Sequence, residues 1–168
     1  YQVMLPVMAR EVLQVGPEGL GILGSSAGLG SLAGAVLVAS FGNYRKKGML
    51  LIVSTGGFGL FLALFAVSEI LYISAVFICL AGAMATIYDV NMSTLLQSLS
   101  PDRTRGRIMG LLVLTYGISP LGGFQAGIIA SMVSAPFAIF IGGSMLVLNS
   151  FRCRSLMKRI IEYETDSK

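Results

Sequence analysis

The sequence places one carboxylate, Asp89, inside a long apolar stretch. A charged acid at the centre of a membrane helix costs about 2.5–3.5 kcal/mol on insertion scales, so it normally faces a partner group or a water-filled cavity. At about 100° per residue, three uncharged polar residues share an arc of roughly 80° with Asp89. They are Thr86, Ser93 and Gln97. The pattern predicts a polar stripe that faces the interior of a helix bundle or a water-filled path.

Two interpretations of Asp89 stay open. In the first, its carboxylate forms hydrogen bonds within the bundle and never changes protonation. In the second, it takes up and releases a proton as the protein changes conformation, which makes it a candidate for proton coupling. Weaker candidates for a substrate path are Ser25, Tyr116 and Gln125. They are weaker because polar residues in membrane helices often bond only to their own backbone or to a neighbouring helix.

The residue inventory gives little support to catalysis or to cofactor binding. The sequence has no His and two Cys that lie far apart in the predicted topology, so we expect neither a His-based triad nor a metal site. The strings Gly19–Gly24 and Gly28–Ala33 fit GxGxxG and GxGxxA. A dinucleotide-binding fingerprint, however, follows a strand and has an acidic residue about 20 positions later. We therefore predict no cofactor and no enzymatic activity.

The elements that position these residues are predicted to be membrane helices. The 168 residues are 55% hydrophobic and 12% charged, with a mean hydropathy of +0.82, whereas soluble domains average about 25% charged residues. A helix needs about 20 apolar residues to cross a bilayer. Spans are predicted at about 19–42, 48–68, 70–99, 107–131 and 135–151, with a partial span at about 1–9.

The partial span predicts an incomplete first helix. Nine helical residues extend about 13 Å, which is less than a bilayer crossing, and the sequence does not begin with Met. We expect residues 1–151 to form a transmembrane helix bundle whose first helix is truncated. Residues 152–168 are expected to form a tail outside the membrane.

The basic residues predict the orientation of these spans. Every Lys and Arg except Arg10 lies on one side, in the connections near 45–47 and 103–107 and in the tail. The positive-inside rule assigns that side, and with it the C-terminus, to the cytoplasm. Topology and contact with lipid headgroups account for the net charge of +4, so no nucleic-acid partner is expected.

Glycines four residues apart predict helix–helix contacts. Apolar burial between helices gains little in lipid, so small residues that let two backbones approach become the contact surface. The glycines predicted to pack in this way are Gly24, Gly28, Gly30, Gly34, Gly123 and Gly127. Pro120 lies in the middle of a span and predicts a kink. Gly and Pro are also simply frequent in membrane helices, and this alternative stays open.

Several local strings resemble a known family. They are residues 5–13, the glycine strings that follow, and Pro101-Asp102-Arg103-Thr104-Arg105-Gly106-Arg107. Together they resemble the C-terminal half of a major facilitator superfamily transporter, in the bacterial exporter branch that includes the enterobactin exporter. The resemblance covers nearly the whole chain. It implies an all-α membrane protein, the C-terminal six-helix half of a twelve-helix fold with its first helix truncated.

The same resemblance implies a function. A secondary-active transporter is expected, a proton-coupled exporter (an efflux antiporter) of small molecules that works by alternating access in the bacterial inner membrane. Its implied partners are a small-molecule substrate, the lipid bilayer and the missing N-terminal six-helix half. A non-transporting membrane anchor or assembly subunit remains the alternative.

The resemblance also identifies loop residues. Arg103, Arg105, Gly106 and Arg107 match the connection between the tenth and eleventh helices, where contact with lipid or a gating latch are both possible roles for Arg105. The string Gly42–Gly48 departs from the superfamily's loop motif because it keeps the positive charge and lacks the acid. That departure weakens the idea that the loop formed by these residues locks one conformational state of the transporter.

Overall fold

The computed structural model of the chain describes residues 2–40 and 47–166. Within these ranges the chain is helical almost throughout, and no strand occurs in them. The N-terminal segment consists of a 3-10 turn (Gln2–Met4), one α-helical turn, α1 (Leu5–Val7), and a π-helical turn (Met8–Val12). Five long helices follow: α2 (Pro17–Ser40), α3 (Lys47–Val67), α4 (Leu71–Leu99), α5 (Asp102–Met132) and α6 (Ala135–Asp166). The predicted all-α fold is confirmed.

Local chemistry explains where these helices begin and end. Gln14 has φ 50°, a left-handed conformation that turns the chain between the N-terminal segment and α2. Pro17 starts α2 at the first helical position, where its missing N–H is not needed. The end of α4 is set by Pro101, because the residue before a proline avoids the α conformation and Ser100 is extended, at φ −86° and ψ 125°.

All five long helices are apolar and long enough to cross a membrane, over Pro17–Ser40, Gly48–Val67, Leu71–Leu99, Asp102–Gln125 and Ala135–Arg154. Helix α5 continues through position 120 without a break. Helix α6 continues past residue 151, so the division into bundle and tail stays a prediction. The string Gly42–Gly48 lies mostly outside the described residues, as does the C-terminal Lys168.

Two close seams join four of the helices. In the seam between α2 and α4, a Cβ added to Gly30, Gly34 or Gly82 would meet the backbone of the facing helix. In the seam between α3 and α6, Gly59 and Gly143 approach each other reciprocally. A Cβ on either one would lie within about 2.6 Å of the other's carbonyl oxygen. Because any side chain there would force the backbones apart, these glycines set the helix spacing.

The buried core lies at one end of the bundle, which we call the packed end. This end contains the N-terminal segment, the starts of α2, α4 and α6 and the end of α3. The opposite end, at the ends of α2 and α4 and the starts of α3 and α5, is called the open end. The core residues are Met4, Leu5, Met8, Ala9, Leu13, Leu23, Leu62, Phe65, Ala66, Ile78, Ala81, Ala135 and Ile139. Their side chains pack tightly at this end, beside a smaller cavity of about 390 Å³ that is lined by residues such as Val67, Glu69 and Phe77.

Candidate functional site

A cavity of about 820 Å³ lies between α3, α4 and α6 in the half of the bundle nearer the open end. Its wall is formed by the first half of α3, the second half of α4 and the middle of α6. Most of this wall is apolar, with side chains such as Leu51, Phe58, Met92 and Leu146. Asp89 is the one charged side chain among the described residues of the wall. A carboxylate in a mainly apolar cavity is the arrangement that membrane helices normally avoid unless it has a function.

Asp89 also connects two helices. The hydroxyl group of Tyr116 on α5 donates a hydrogen bond to Asp89 Oδ1 on α4, with an oxygen–oxygen distance of 3.4 Å. Both side chains are exposed within the described bundle. The structure therefore brings together two residues that the sequence suggested separately, one for proton coupling and one for a substrate path.

The rest of the predicted polar stripe lies beside the cavity. Thr86 donates its hydroxyl hydrogen to the carbonyl of Gly82 at 3.1 Å, within the same helix. Ser93 is half-buried and Gln97 is exposed, and neither is among the described residues of the wall. On α4, Asp89 shares the wall with Ala85, Tyr88 and Met92 instead. The wall thus occupies a face turned from the predicted stripe, with Asp89 at the border.

Two further substrate-path candidates lie away from this cavity. Ser25 is exposed on the first half of α2, and Gln125 is exposed on the second half of α5. Neither belongs to the described wall. Their proposed role in a substrate path stays a prediction.

The predicted packing glycines differ in their surroundings. Gly30 and Gly34 lie in the α2–α4 seam, whereas a Cβ on Gly24 or Gly28 would meet no described atom within 4 Å. On α5, Gly123 and Gly127 face the N-terminal segment: their added Cβ atoms would lie 3.1 Å from Val3 and 4.0 Å from Met4.

Sequence reasoning missed three seam glycines, Gly59, Gly82 and Gly143. A search limited to four-residue spacing overlooked them. An available signal was the pair of clusters Gly56-Gly57-x-Gly59 and Gly142-Gly143 in two different spans.

The arginines of the α4–α5 connection lie at the start of α5. Arg105 forms an ion pair with Asp102 of the same helix at 2.8 Å. Arg103, Gly106 and Arg107 are exposed. The acid at the first turn of α5 and this local pair stabilise the helix start. Lipid contact and a latch both stay predictions for Arg105.

Metal chemistry has no visible basis in the described part of the chain. No group of three or more His, Cys, Asp and Glu side chains capable of holding a metal ion occurs there. Cys79 and Cys153 are both free thiols, the first half-buried and the second exposed.

Comparison with known proteins identifies the family. A family model described as "Transmembrane secretion effector" matches residues 2–167. The chain belongs to this family. The resemblance to major facilitator exporters is thereby confirmed, and the names of the family and of its relatives indicate a transporter. Membership and five apolar helices make this chain part of a multi-pass membrane protein.

Several curated relatives of this chain are enterobactin exporters. The enterobactin exporter EntS of Salmonella typhi is 28% identical over 155 residues, which is 88% of this chain and 37% of the relative. EntS of Salmonella typhimurium gives the same values, and that of Escherichia coli O139:H28 is 27% identical. The chain thus spans 37% of the length of these curated relatives. No solved structure matches it.

Proposed function

We propose that this chain is the C-terminal six-helix half of a proton-coupled exporter of small molecules in the bacterial inner membrane. An N-terminal half would complete the protein. The open end would face the cytoplasm, in agreement with the basic residues that flank α3 and α5. Working by alternating access, the two halves would rock about a site that is reachable from one side at a time.

The observation that carries this proposal is the combination of a tightly packed core at one end with a larger cavity near the other end that has Asp89 in its wall. An exporter needs a solvent-reachable site below a closed barrier. A simple membrane anchor needs neither the cavity nor a carboxylate within it. The asymmetry therefore favours transport over anchoring.

Asp89 is the proposed coupling residue. Its deprotonated carboxylate accepts the long hydrogen bond from Tyr116, which links α4 to α5. Protonation removes the negative charge and weakens this contact, since hydrogen bonds to ionised acceptors are about twice as strong as neutral ones. Proton uptake would thus loosen α5 from α4, which links protonation to helix movement.

The relatives' names suggest a first substrate to test. Inside-out membrane vesicles that contain the full-length protein are loaded with a pH-sensitive dye and acidified inside by respiration. Adding enterobactin or tetraphenylphosphonium should release protons as the substrate enters. Asp89→Asn should abolish this release, whereas Glu69→Gln, which removes an exposed carboxylate at the packed end, should preserve it. A correctly inserted protein that releases no protons with either compound would favour the anchor.

A further inference from the structure

Two hydroxyl groups in the cavity wall donate their hydrogens to backbone carbonyls, whereas the side chain of Asn149, which accepts from the Cys153 thiol, keeps an amide group that can donate. The hydroxyl of Thr55 donates its hydrogen to the carbonyl of Leu51 at 2.8 Å. The hydroxyl of Ser150 donates to the carbonyl of Ile52 on the neighbouring helix at 2.7 Å. A hydroxyl has one hydrogen to donate and two lone pairs, so both oxygens are left with acceptor capacity only.

The charge of the cavity wall is negative. Asp89 contributes a carboxylate, and no Lys or Arg occurs among the wall residues that the structure describes. Arg152 and Arg154 flank Cys153 on α6 and are exposed, but they do not belong to the described wall. A carboxylate attracts a cation and repels an anion, and both effects become stronger where apolar side chains exclude water.

The remaining surface suits a hydrophobic body of moderate size. Cavities of roughly 300–1,000 Å³ hold drug-sized ligands, and this one measures about 820 Å³. Tyr88 lies next to Asp89 in the wall. The face of a tyrosine ring attracts organic cations, so the ring adds to the preference that the carboxylate sets.

We infer that this cavity binds an amphipathic organic cation, with Asp89 as its counter-ion and the apolar side chains of α3 and α6 around its body. The assignment of this cation as exported cargo rests on the proposed function. The binding of the cation to this cavity does not rest on the proposed function. The same carboxylate should weaken the binding of an anion of similar size and shape.

Two ions of the same shape and opposite charge test the inference directly. Purified full-length protein is titrated with tetraphenylphosphonium and, separately, with tetraphenylborate. Tetraphenylphosphonium should bind saturably, and Asp89→Asn should weaken it at least about tenfold, because one partner of a charge pair is removed. Glu69→Gln should leave this affinity unchanged. Equal affinity for both ions in the unmodified protein would overturn the inference, and this comparison needs no variant to fold.

The native cysteines locate the bound ion. Cys153 lies in the wall, whereas Cys79 lies on α4 next to the α2 seam and away from the cavity. Saturating tetraphenylphosphonium should slow maleimide labelling of Cys153 and leave the slower labelling of Cys79 unchanged, as read by mass spectrometry of the labelled peptides. Unchanged labelling of Cys153 would place the ion elsewhere and overturn the inference.

These results separate the inference from the proposed function. Proton exchange with enterobactin but no binding of tetraphenylphosphonium would leave the exporter standing and reject the cation site. Binding that depends on Asp89, without proton release by any compound, would keep the cation site and reject the exporter.

Discussion

The two ends of this bundle differ in how tightly their side chains are packed. At the packed end, large apolar side chains such as Phe65, Met8, Leu23 and Ile78 are almost completely buried. At the open end, the same helices leave a cavity whose wall carries Asp89. The buried core lies away from this cavity, so the helices pack closely at one end and leave space between α3, α4 and α6 nearer the other. The buried core and the cavity with Asp89 therefore lie towards opposite ends of the same helices.

The difference between the ends also separates stability from function. Changes at the packed end and in the seams should unfold or loosen the protein. Changes in the cavity wall should alter ligand and proton handling while the fold persists.

The largest effect is expected in the α3–α6 seam. Gly143→Val places a side chain against Gly59 and Ala63 of α3, where even a Cβ would lie 2.6 Å from the Gly59 carbonyl oxygen. Overpacking of this kind costs roughly 1–3 kcal/mol, and more where backbone cannot move. The neighbouring Gly142→Val has no described atom within 4 Å and should be nearly neutral. Unfolding of both variants in detergent measures the contrast; equal destabilisation would contradict the seam.

The second prediction concerns the open end. Asp89→Asn should reduce proton-driven transport by the full-length protein by at least about 100-fold, because the amide cannot carry the proton, while the melting temperature stays within a few degrees. Its matched control, Glu69→Gln, lies at the packed end and should change neither value. Transport rates measured across external pH should become pH-independent in Asp89→Asn. Retention of the normal pH profile would show that Asp89 is a static structural acid.

The third prediction compares two tyrosines near Asp89. Tyr116→Phe removes the 3.4 Å hydrogen bond to the Asp89 carboxylate, and a hydrogen bond typically contributes about 0.5–1.5 kcal/mol. We expect transport to fall about tenfold, with its pH dependence displaced. Tyr88→Phe keeps the aromatic ring in the wall and should have a smaller effect on the pH dependence. If the two variants have indistinguishable pH profiles, the contact between α4 and α5 has no role in coupling.

The smallest effect is expected at the exposed start of α5. Arg105→Ala breaks the ion pair with Asp102, and pairs between exposed charges typically contribute less than about 1 kcal/mol. Insertion and unfolding should be almost unchanged. Transport then distinguishes the two roles left for this residue: normal flux favours lipid contact, whereas normal insertion with lost flux favours a gating latch.

The fold was predictable because its signals are long. Stretches of apolar residues bounded by charges predict an all-α membrane protein, and the observed five long helices agree. The predicted polar stripe was less informative. Periodicity finds the arc that contains Thr86, Ser93 and Gln97, but the cavity wall on α4 also includes Ala85 and Met92, which no polar pattern marks.

Contacts between helices were the least predictable part. Four-residue glycine spacing selects Gly30 and Gly34, which do lie in a seam. It also selects Gly24 and Gly28, where an added Cβ would meet no described atom within 4 Å. Spacing describes one helix at a time, whereas a seam requires two faces to meet. The pairing of Tyr116 with Asp89 shows the same limit, since their helices are brought together only by the tertiary packing.

The tight packing of one end of the bundle and the accessible cavity near the other end can be tested in one measurement. Ala85→Cys lies in the cavity wall and Ala66→Cys in the core of the packed end, so the two variants introduce the same small side chain at opposite ends. In the purified full-length protein, where both ends face solvent, a hydrophilic maleimide should label Ala85→Cys rapidly and Ala66→Cys at least about 100-fold more slowly. Equal labelling rates, or faster labelling of Ala66→Cys, would contradict the account.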